Sequence, residues 1–367
     1  MTVLSPPLSD VGIVRAVSSP RRIAVFRALQ LGDMLCAVPA LRSLRAAYPD
    51  TEITLIGLPW ARAFVSRFDR YLDAFIEFPG FPGLPEQRML VRRFPSFLHD
   101  VQRRHFDLVL QMHGSGRVTN SIVALFDARR YAGFRDVNGE CPDARTLFLE
   151  WPARGAEVRR LLRLMTFLGI APHGEHLEFP IREEDRAELR ALPAVRELVP
   201  GEYVCMHAGA RNPVKRWPPS CFAAVADALT DAGLRVVLTG TTEEAPITRA
   251  VVAAMRAPAI DVAGPMRLGA LAALMRDARL VICNDTGVSH LAAALAVPSV
   301  VIFIAADPDR WAPLDAERHR ALYDPSTCLA RAPGQLLAGR ACPAGITPEI
   351  VLDETERLFA AGHAYAA

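Results

Sequence analysis

Four stretches of this 367-residue sequence set charged, hydroxyl or imidazole side chains beside glycine, each just after a short apolar run. The first is Leu31-Gly32-Asp33, a few residues beyond Ile23-Ala-Val-Phe-Arg27. Asp33 there is either the N-cap of the following helix or a general base, and the residues alone leave both open. The turn has no GxGxxG, so it carries no dinucleotide fingerprint. The second stretch runs His207-Ala-Gly-Ala-Arg211-Asn-Pro-Val-Lys215-Arg216-Trp217-Pro218. A lysine and arginines at a helix start suit phosphate, because cations and helix N-termini both favour anions; the plainer account is a solvated basic turn with Trp217 as an apolar plug. The third, Thr239-Gly240-Thr241-Thr242-Glu243-Glu244, offers a carboxylate for a ribose diol or simply acids at a helix start. The fourth is Cys283-Asn284-Asp285-Thr286-Gly287-Val-Ser-His290. A cap there needs one residue, and Asp285, Thr286, Gly287 and His290 are more than that job requires. Asp307-Pro308-Asp309 has the DxD spacing of some metal–nucleotide sites, but Pro308 makes it a turn, and no metal is expected.

These loops need elements to hold them. Short β-branched runs alternate with longer helical patterns, which predicts parallel α/β units. Strands are expected at 23–27, 52–56, 75–78 and 107–111, then at 203–207, 235–239, 260–262, 280–283 and 299–303. A helix after the first strand carries Leu35, Val38, Leu41, Leu44 and Tyr48 on one face, with Pro39 tolerable only near its first turn. A basic amphipathic helix is expected over 86–104, and a helix over 157–168 that stops at Gly169. The domain reading is a loose extension over 1–21, an N-terminal Rossmann-like domain over 22–175, and a C-terminal Rossmann-like domain over 176–345. A C-terminal helix over 346–367 is expected to pack back on the N-terminal domain. In such sheets ligands lie at the carboxyl ends of strands, where all four stretches fall.

Composition narrows the class. Hydrophobic residues at 51% and charged residues at 22% describe a globular chain able to bury its own core. Lys plus Arg at 42 against Asp plus Glu at 40 gives a net charge of +2, no nucleic-acid signature. The cysteines at 36, 141, 205, 221, 283, 328 and 342 are scattered and form no CxxC pair; Cys36, Cys205, Cys221 and Cys283 read as core. A reduced, cytoplasmic setting and no structural zinc follow. No apolar run approaches the ~18 residues of a membrane span, and the N-terminus does not read as a signal peptide.

With the loops in this order, the chain resembles the ADP-heptose:lipopolysaccharide heptosyltransferases, glycosyltransferase family 9. The matching pieces are Leu31-Gly-Asp-Met-Leu…Pro39-Ala-Leu-Arg, Phe106-Asp-Leu-Val-Leu-Gln-Met-His-Gly, His207-Ala-Gly-Ala…Lys215-Arg-Trp-Pro and Asn284-Asp-Thr-Gly-Val-Ser-His-Leu-Ala-Ala-Ala-Leu. Phe303…Asp-Pro-Asp-Arg-Trp-Ala-Pro and Cys342-Pro-Ala-Gly-Ile-Thr-Pro-Glu-Ile-Val extend the likeness over roughly residues 22–360.

The resemblance implies a GT-B fold, two Rossmann-like domains facing each other across a cleft, and inverting, metal-independent transfer of a heptose or related sugar from an ADP-sugar. The acceptor would be a lipopolysaccharide-core or other anionic glycan or glycolipid. No cofactor is implied beyond the nucleotide-sugar co-substrate, and no nucleic acid. It makes Asp33 the general base, beside Gly32, and Lys215 the cation that neutralises the departing diphosphate. Asp285 would hold the donor sugar, with Thr286, Gly287 and His290 around the diphosphate, Glu243 or equally Glu244 at the ribose, and Met266 at the adenine. The chain departs from the family at Ala210 and Arg211, which lack phosphate-binding hydroxyls although Arg211 can supply charge, at Ile304 in place of glycine, and at Ala156 in place of histidine. Two other functions fit the same residues: a GT-B-like nucleotide-sugar epimerase and a catalytically silent nucleotide-sugar-binding protein. Reversible contact with the inner face of the cytoplasmic membrane is implied by the glycolipid acceptor, and Arg88, Arg92, Arg93, Arg103 and Arg104 crowd one segment suited to it.

Overall fold

The central strands are apolar on both faces, as sheets covered by helices on each side require. The structure, a computed structural model, describes residues 20–264, 266–324 and 345–365, the side chains of 362–365 excepted. The expected extension up to residue 19, Cys328, and the Cys342-Pro-Ala-Gly stretch up to residue 344 lie outside the described residues. The chain divides into two compact units, Met1–His176 and Leu177–Ala367.

The first unit holds a six-stranded sheet of β1 (Arg22–Phe26), β2 (Glu52–Gly57), β3 (Ala74–Glu77), β4 (Leu108–Gln111), β5 (Arg130–Arg135) and β6 (Phe148–Glu150), in the order β3-β2-β1-β4-β5-β6. All neighbours are parallel, with Phe26 opposite Ile56 on one side and Gln111 on the other. The second unit repeats the plan with β7 (Tyr203–His207), β8 (Arg235–Leu238), β9 (Ile260–Asp261), β10 (Leu280–Asn284), β11 (Ser299–Phe303) and β12 (His319–Tyr323), ordered β12-β11-β10-β7-β8-β9 and again parallel. In both, the chain reverses its direction of travel between the first and fourth strands. That reversal opens a crevice beyond their carboxyl ends, the place where such sheets bind ligands.

Several elements differ from the sequence expectation. Strands β5, β6 and β12 have no counterpart among the expected strands. The helix expected over 86–104 is confined to Phe94–Gln102 after a short turn at Val91–Arg93. Upstream of it the chain folds back, with the Leu90 amide donating to the Pro79 carbonyl at 2.8 Å, and Pro95 then starts the helix. Pro39 lies in the body of the helix Leu31–Ala47 rather than its first turn. Burial of residues Met34–Leu41 on every side carries the helix through it. The stop at Gly169 does appear: this residue has φ +80°, and the Ile170 amide returns to the Met165 carbonyl at 2.9 Å. The helix Pro348–Tyr365, expected to lean on the first unit, puts Val351 and Leu358 into the core of the second, with Phe222 and Ile302. Cys36, Cys141, Cys205 and Cys283 are free; Cys221, which reads as a reduced core thiol, is instead disulfide-bonded, a pairing that scattered spacing gives no means to foresee.

Candidate active site

Asp33 stands just past the carboxyl end of β1, at the reversal point of the first sheet. It is not the N-cap. The helix Leu31–Ala47 begins one turn earlier, Gln30 is its cap residue, and Asp33 is the half-buried acid of the first turn beside buried Gly32. A carboxylate in that turn is favoured by the helix dipole. The loop after β4 comes close. Buried Arg27 donates through Nε and Nη2 to the Asp33 carbonyl, at 3.2 and 2.9 Å, and through Nη1 to the Met112 carbonyl. The Ala28 amide donates to His113 Nδ1 at 3.2 Å. Burial, and then the charge of Arg27, pushes the His113 imidazole down to about 3, so it is neutral near pH 7 with its remaining proton on Nε2.

In the second unit the loops after β7 and β10 meet, as their pairing dictates: His207 lies opposite Cys283 in register. Lys215 Nζ is 2.6 Å from Asp285 Oδ2, with the carboxylate nearly buried and the lysine less so. Asn284, wholly buried, is the stitch between the loops. Its Oδ1 accepts the Trp217 amide at 3.0 Å, and its Nδ2 donates to the Ala208 carbonyl at 2.9 Å. Trp217 is a plug, fully buried with its Nε1 donating to the Ile346 carbonyl at 3.1 Å. Thr286 caps the helix Gly287–Ala294, its hydroxyl accepting the Val288 amide at 3.3 Å. Asp285, Gly287 and buried His290 lie at the same helix start, and the His290 ring meets Trp311 edge-on at 6.1 Å. Arg211 is exposed on the β7 loop.

The two glutamates separate. Glu243 is exposed, its carboxyl lowered by its own amide and the Thr241 hydroxyl. Glu244 turns inward, Oε2 accepting the Thr241 amide at 3.0 Å and lying 3.6 Å from His207 Nε2. Any Cβ at position 209 would collide with that carboxylate, so Gly209 is what admits it. His207 Nδ1 lies 3.1 Å from the Thr239 hydroxyl, and burial holds its imidazole below the ordinary range while Glu244 pulls the other way. The Gly264 amide donates to the Gly240 carbonyl at 3.1 Å, which lays the loop bearing half-buried Met266 beside the one bearing the glutamates. Sequence reasoning left out Arg27, His207 and Asn284 as site residues. Their common signal is a polar residue ending, or just following, an otherwise apolar strand.

One departure and the DxD spacing find a structural account. Ile304 turns into the core of the second unit, so its bulk is absorbed there. Asp307 accepts the Asp309 amide at 3.0 Å as cap of the short helix Pro308–Trp311, and among the described residues no group of three or more His, Cys, Asp and Glu is placed to hold a metal. On the first unit a cavity of about 550 Å³ beside β3 is lined by Arg62, Arg93, Arg103 and Arg104 together with Glu77 and Asp100. Arg93 is engaged by Glu77 at 2.7 Å, whereas Arg88, Arg92 and Arg103 form no ion pair among the described residues. No described helix is long and apolar enough to cross a membrane.

Comparison with known proteins agrees with this layout. The model of glycosyltransferase family 9 (heptosyltransferase) matches residues 95–331. Lipopolysaccharide heptosyltransferase 2 of Escherichia coli K12 is 26% identical over 311 residues, 80% of this chain and 85% of that protein. The crystal structure of a family 9 glycosyl transferase from Veillonella parvula superposes with a TM-score of 0.72 at 22% identity, covering 92% of this chain and 97% of the other. The Escherichia coli ADP-heptose lps heptosyltransferase II does so with a TM-score of 0.70 at 21% identity, covering 93% and 99%. The expected fold is thus the fold observed: two Rossmann-like units of the GT-B type.

Proposed function

The chain belongs to glycosyltransferase family 9, the heptosyltransferases, and on that premise we propose that it moves a heptose, or a closely related sugar, from an ADP-sugar to a lipopolysaccharide-core or similar anionic glycan, with inversion and without a metal. The observation that carries this is positional. Asp33 follows β1, Lys215 follows β7 and Asp285 follows β10, so each lies at a strand end bordering a reversal point. An ADP-heptose enzyme of this fold and a lipopolysaccharide heptosyltransferase with 26% identity support the donor and the acceptor class.

In this scheme Asp33 takes the proton of the acceptor hydroxyl as it attacks the anomeric carbon. Charge then develops on the departing diphosphate. Lys215 and the amides at the start of the helix Gly287–Ala294 absorb it, a task that elsewhere falls to a divalent ion. Asp285 holds the sugar and, through its ion pair, aims Lys215. Thr286 and Asn284 keep the β10 loop in shape, with His290 and Arg211 at the diphosphate. Between the glutamates, the inward carboxylate of Glu244 is the better ribose ligand, and Met266 on the adjoining loop serves the adenine. Arg88, Arg92 and Arg103, which form no ion pair among the described residues, fit an enzyme that touches an anionic membrane surface reversibly, on its cytoplasmic side. The free Cys36, Cys141, Cys205 and Cys283 suit a reducing compartment; the disulfide-bonded Cys221 is the described cysteine that does not.

The test is transfer by purified protein from ADP-heptose to a heptose-deficient lipopolysaccharide core, read as ADP release with and without EDTA, and as the anomeric configuration of the product. ADP release that EDTA leaves untouched, with an inverted product, is expected. Strict dependence on magnesium or manganese, or retention of configuration, overturns the mechanism; ADP-heptose consumed only to an epimer or to free sugar overturns the transfer itself.

A further inference from the structure

A guanidinium buried at a strand end needs a reason, because an apolar side chain of similar volume fills such a place at less cost. The Arg27 side chain is wholly inaccessible to solvent. Its Nε and Nη2 both donate to the Asp33 carbonyl, its Nη1 donates to the Met112 carbonyl, and Nη2 lies 3.1 Å from Glu157 Oε1. The other carboxylate oxygen of Glu157 receives Arg160 Nη1 at 2.5 Å, and Arg160 is fixed in turn by donating to the Pro152 carbonyl at 3.0 Å and by stacking 4.5 Å above the Trp151 ring. Glu157, itself buried, is the first residue of the helix Glu157–Phe167, so the helix dipole helps to keep its charge in place.

What this network holds is specific. Asp33 lies in the first turn of the helix after β1 and Met112 in the loop after β4, the two strands that flank the reversal point of the first sheet. One planar cation grips both backbones. The helix Leu31–Ala47 has no side-chain cap on its first turn, so nothing at Gln30 performs the same service.

We propose that Arg27, aimed by Glu157, is a positioning residue of the transfer reaction: it fixes the turn that carries Asp33 and ties it to the Met112–His113 loop. This rests on Asp33 being the base. Arg27 itself touches neither sugar nor phosphate in this scheme. A lysine there would keep the charge and lose the fork that reaches two carbonyls and a carboxylate together.

The decisive variants are Arg27→Lys and, should that fail to fold, Glu157→Gln. Each should lower kcat by about 10- to 100-fold, the penalty of a base displaced by a fraction of an ångström to an ångström. ADP affinity, set by residues of the second unit, should stay within about twofold. Placed in an Asp33→Asn background, the same change should cost less than about threefold, since a base already removed cannot be misplaced. Amide hydrogen exchange supplies a readout independent of turnover: residues 30–36 should exchange faster in the variant, while the rest of the helix and the second unit keep their protection. Wild-type kcat in a folded variant, or a full further loss in the Asp33→Asn background, overturns the proposal. If the wild-type protein transfers no sugar, the proposed reaction has failed, and the exchange data alone decide whether Arg27 holds the turn; unchanged exchange at 30–36 then rejects it.

Discussion

Lys215 Nζ lies 2.6 Å from Asp285 Oδ2, so the cation assigned to the diphosphate is tied to the carboxylate assigned to the sugar. The two roles are therefore coupled. Removing the Asp285 charge by Asp285→Asn should free Lys215 for phosphate and tighten ADP binding by roughly two- to fivefold, the worth of a partly exposed ion pair. Transfer should nevertheless slow. Lys215→Ala should do the opposite for affinity and also destabilise the second unit, because it strands a nearly buried carboxylate. Isothermal titration with ADP against both variants checks this; weaker ADP binding by Asp285→Asn would show that the pair does not compete with the ligand.

Asp33→Asn is cleaner than a helix-capping role would have allowed. With Gln30 at the cap position, the change removes a first-turn charge rather than a cap, and that charge is worth about 0.3–1 kcal/mol to the helix. Transfer should fall by at least ~100-fold, the low end for loss of a general base. ADP binding should not move. Turnover within a fewfold of wild type, with the fold intact, would return Asp33 to a dipole-pairing surface acid.

What could be read from the sequence, and what could not, divides along sequence distance. β1, β7 and β10 are continuous apolar runs ending in a polar residue or just before one, so their carboxyl ends and the loops beyond them were readable. Strands β5 and β12 carry arginine, glycine or histidine within Arg130–Arg135 and His319–Tyr323, and β6 is only three residues long; each lies at or next to a sheet edge and owes its pairing to neighbours already in place. The rule that places a cap just before the periodic residues chose Asp33, whereas tertiary burial of Leu35–Leu44 lets the helix start at Leu31. Nothing local announces the Arg27–Glu157 pair, whose members stand 130 positions apart.

Glu243 and Glu244 can be told apart by affinity. Glu244 accepts the Thr241 amide and faces Gly209 and His207, whereas Glu243 is in solvent. A charge-assisted bond to a ribose hydroxyl is worth about 1.5–3 kcal/mol, so Glu244→Gln should weaken ADP by roughly 10-fold or more, and Glu243→Gln by less than twofold. Comparing ADP with 2′-deoxy-ADP on each variant isolates the ribose contact. An equal loss in both variants would mean that the diol spans the pair.

Acid should loosen both units for the same reason. Burial, aided by Arg27, pushes His113 down to about 3, and burial pushes His319 down to about 4 against the opposing charge of Asp315. An unfolded histidine binds its proton near pH 6.5, so between that value and these depressed ones the unfolded chain holds more protons than the folded chain. The stability is whole above about pH 6.5 and drains as pH falls toward 3 or 4. At pH 5.5 His113 and His319 should each have cost its unit about 1.4 kcal/mol. Urea midpoints between pH 7.5 and 5.5 measure the loss, and His319→Gln should reduce it for the second unit alone, leaving the share of buried His207; midpoints that ignore pH in the wild-type protein would mean these rings titrate normally.

The last expectation concerns where the acceptor is met. Arg93 is held by Glu77 and Arg104 by Glu52, at 2.7 and 2.9 Å, so their charges are partly spent inside the fold. Arg92 and Arg103, both exposed, have no such partner among the described residues, and they flank a helix whose Phe97 and Val101 are buried. The apolar face of that helix already packs on its own unit, so the helix offers a membrane mainly its charge, beside the exposed Leu90 and Val91. Each free arginine near an anionic surface contributes about 1 kcal/mol, and the attraction decays over the ~8–10 Å screening length of physiological salt. Vesicles containing phosphatidylglycerol should therefore sediment the protein at low salt and release it at high salt, while neutral vesicles should not. Arg92→Glu with Arg103→Glu should abolish the sedimentation and leave transfer to a soluble, delipidated core unchanged. Wild-type protein that ignores anionic vesicles at low salt would reduce the basic segment to a solvated face and point to an acceptor met in solution.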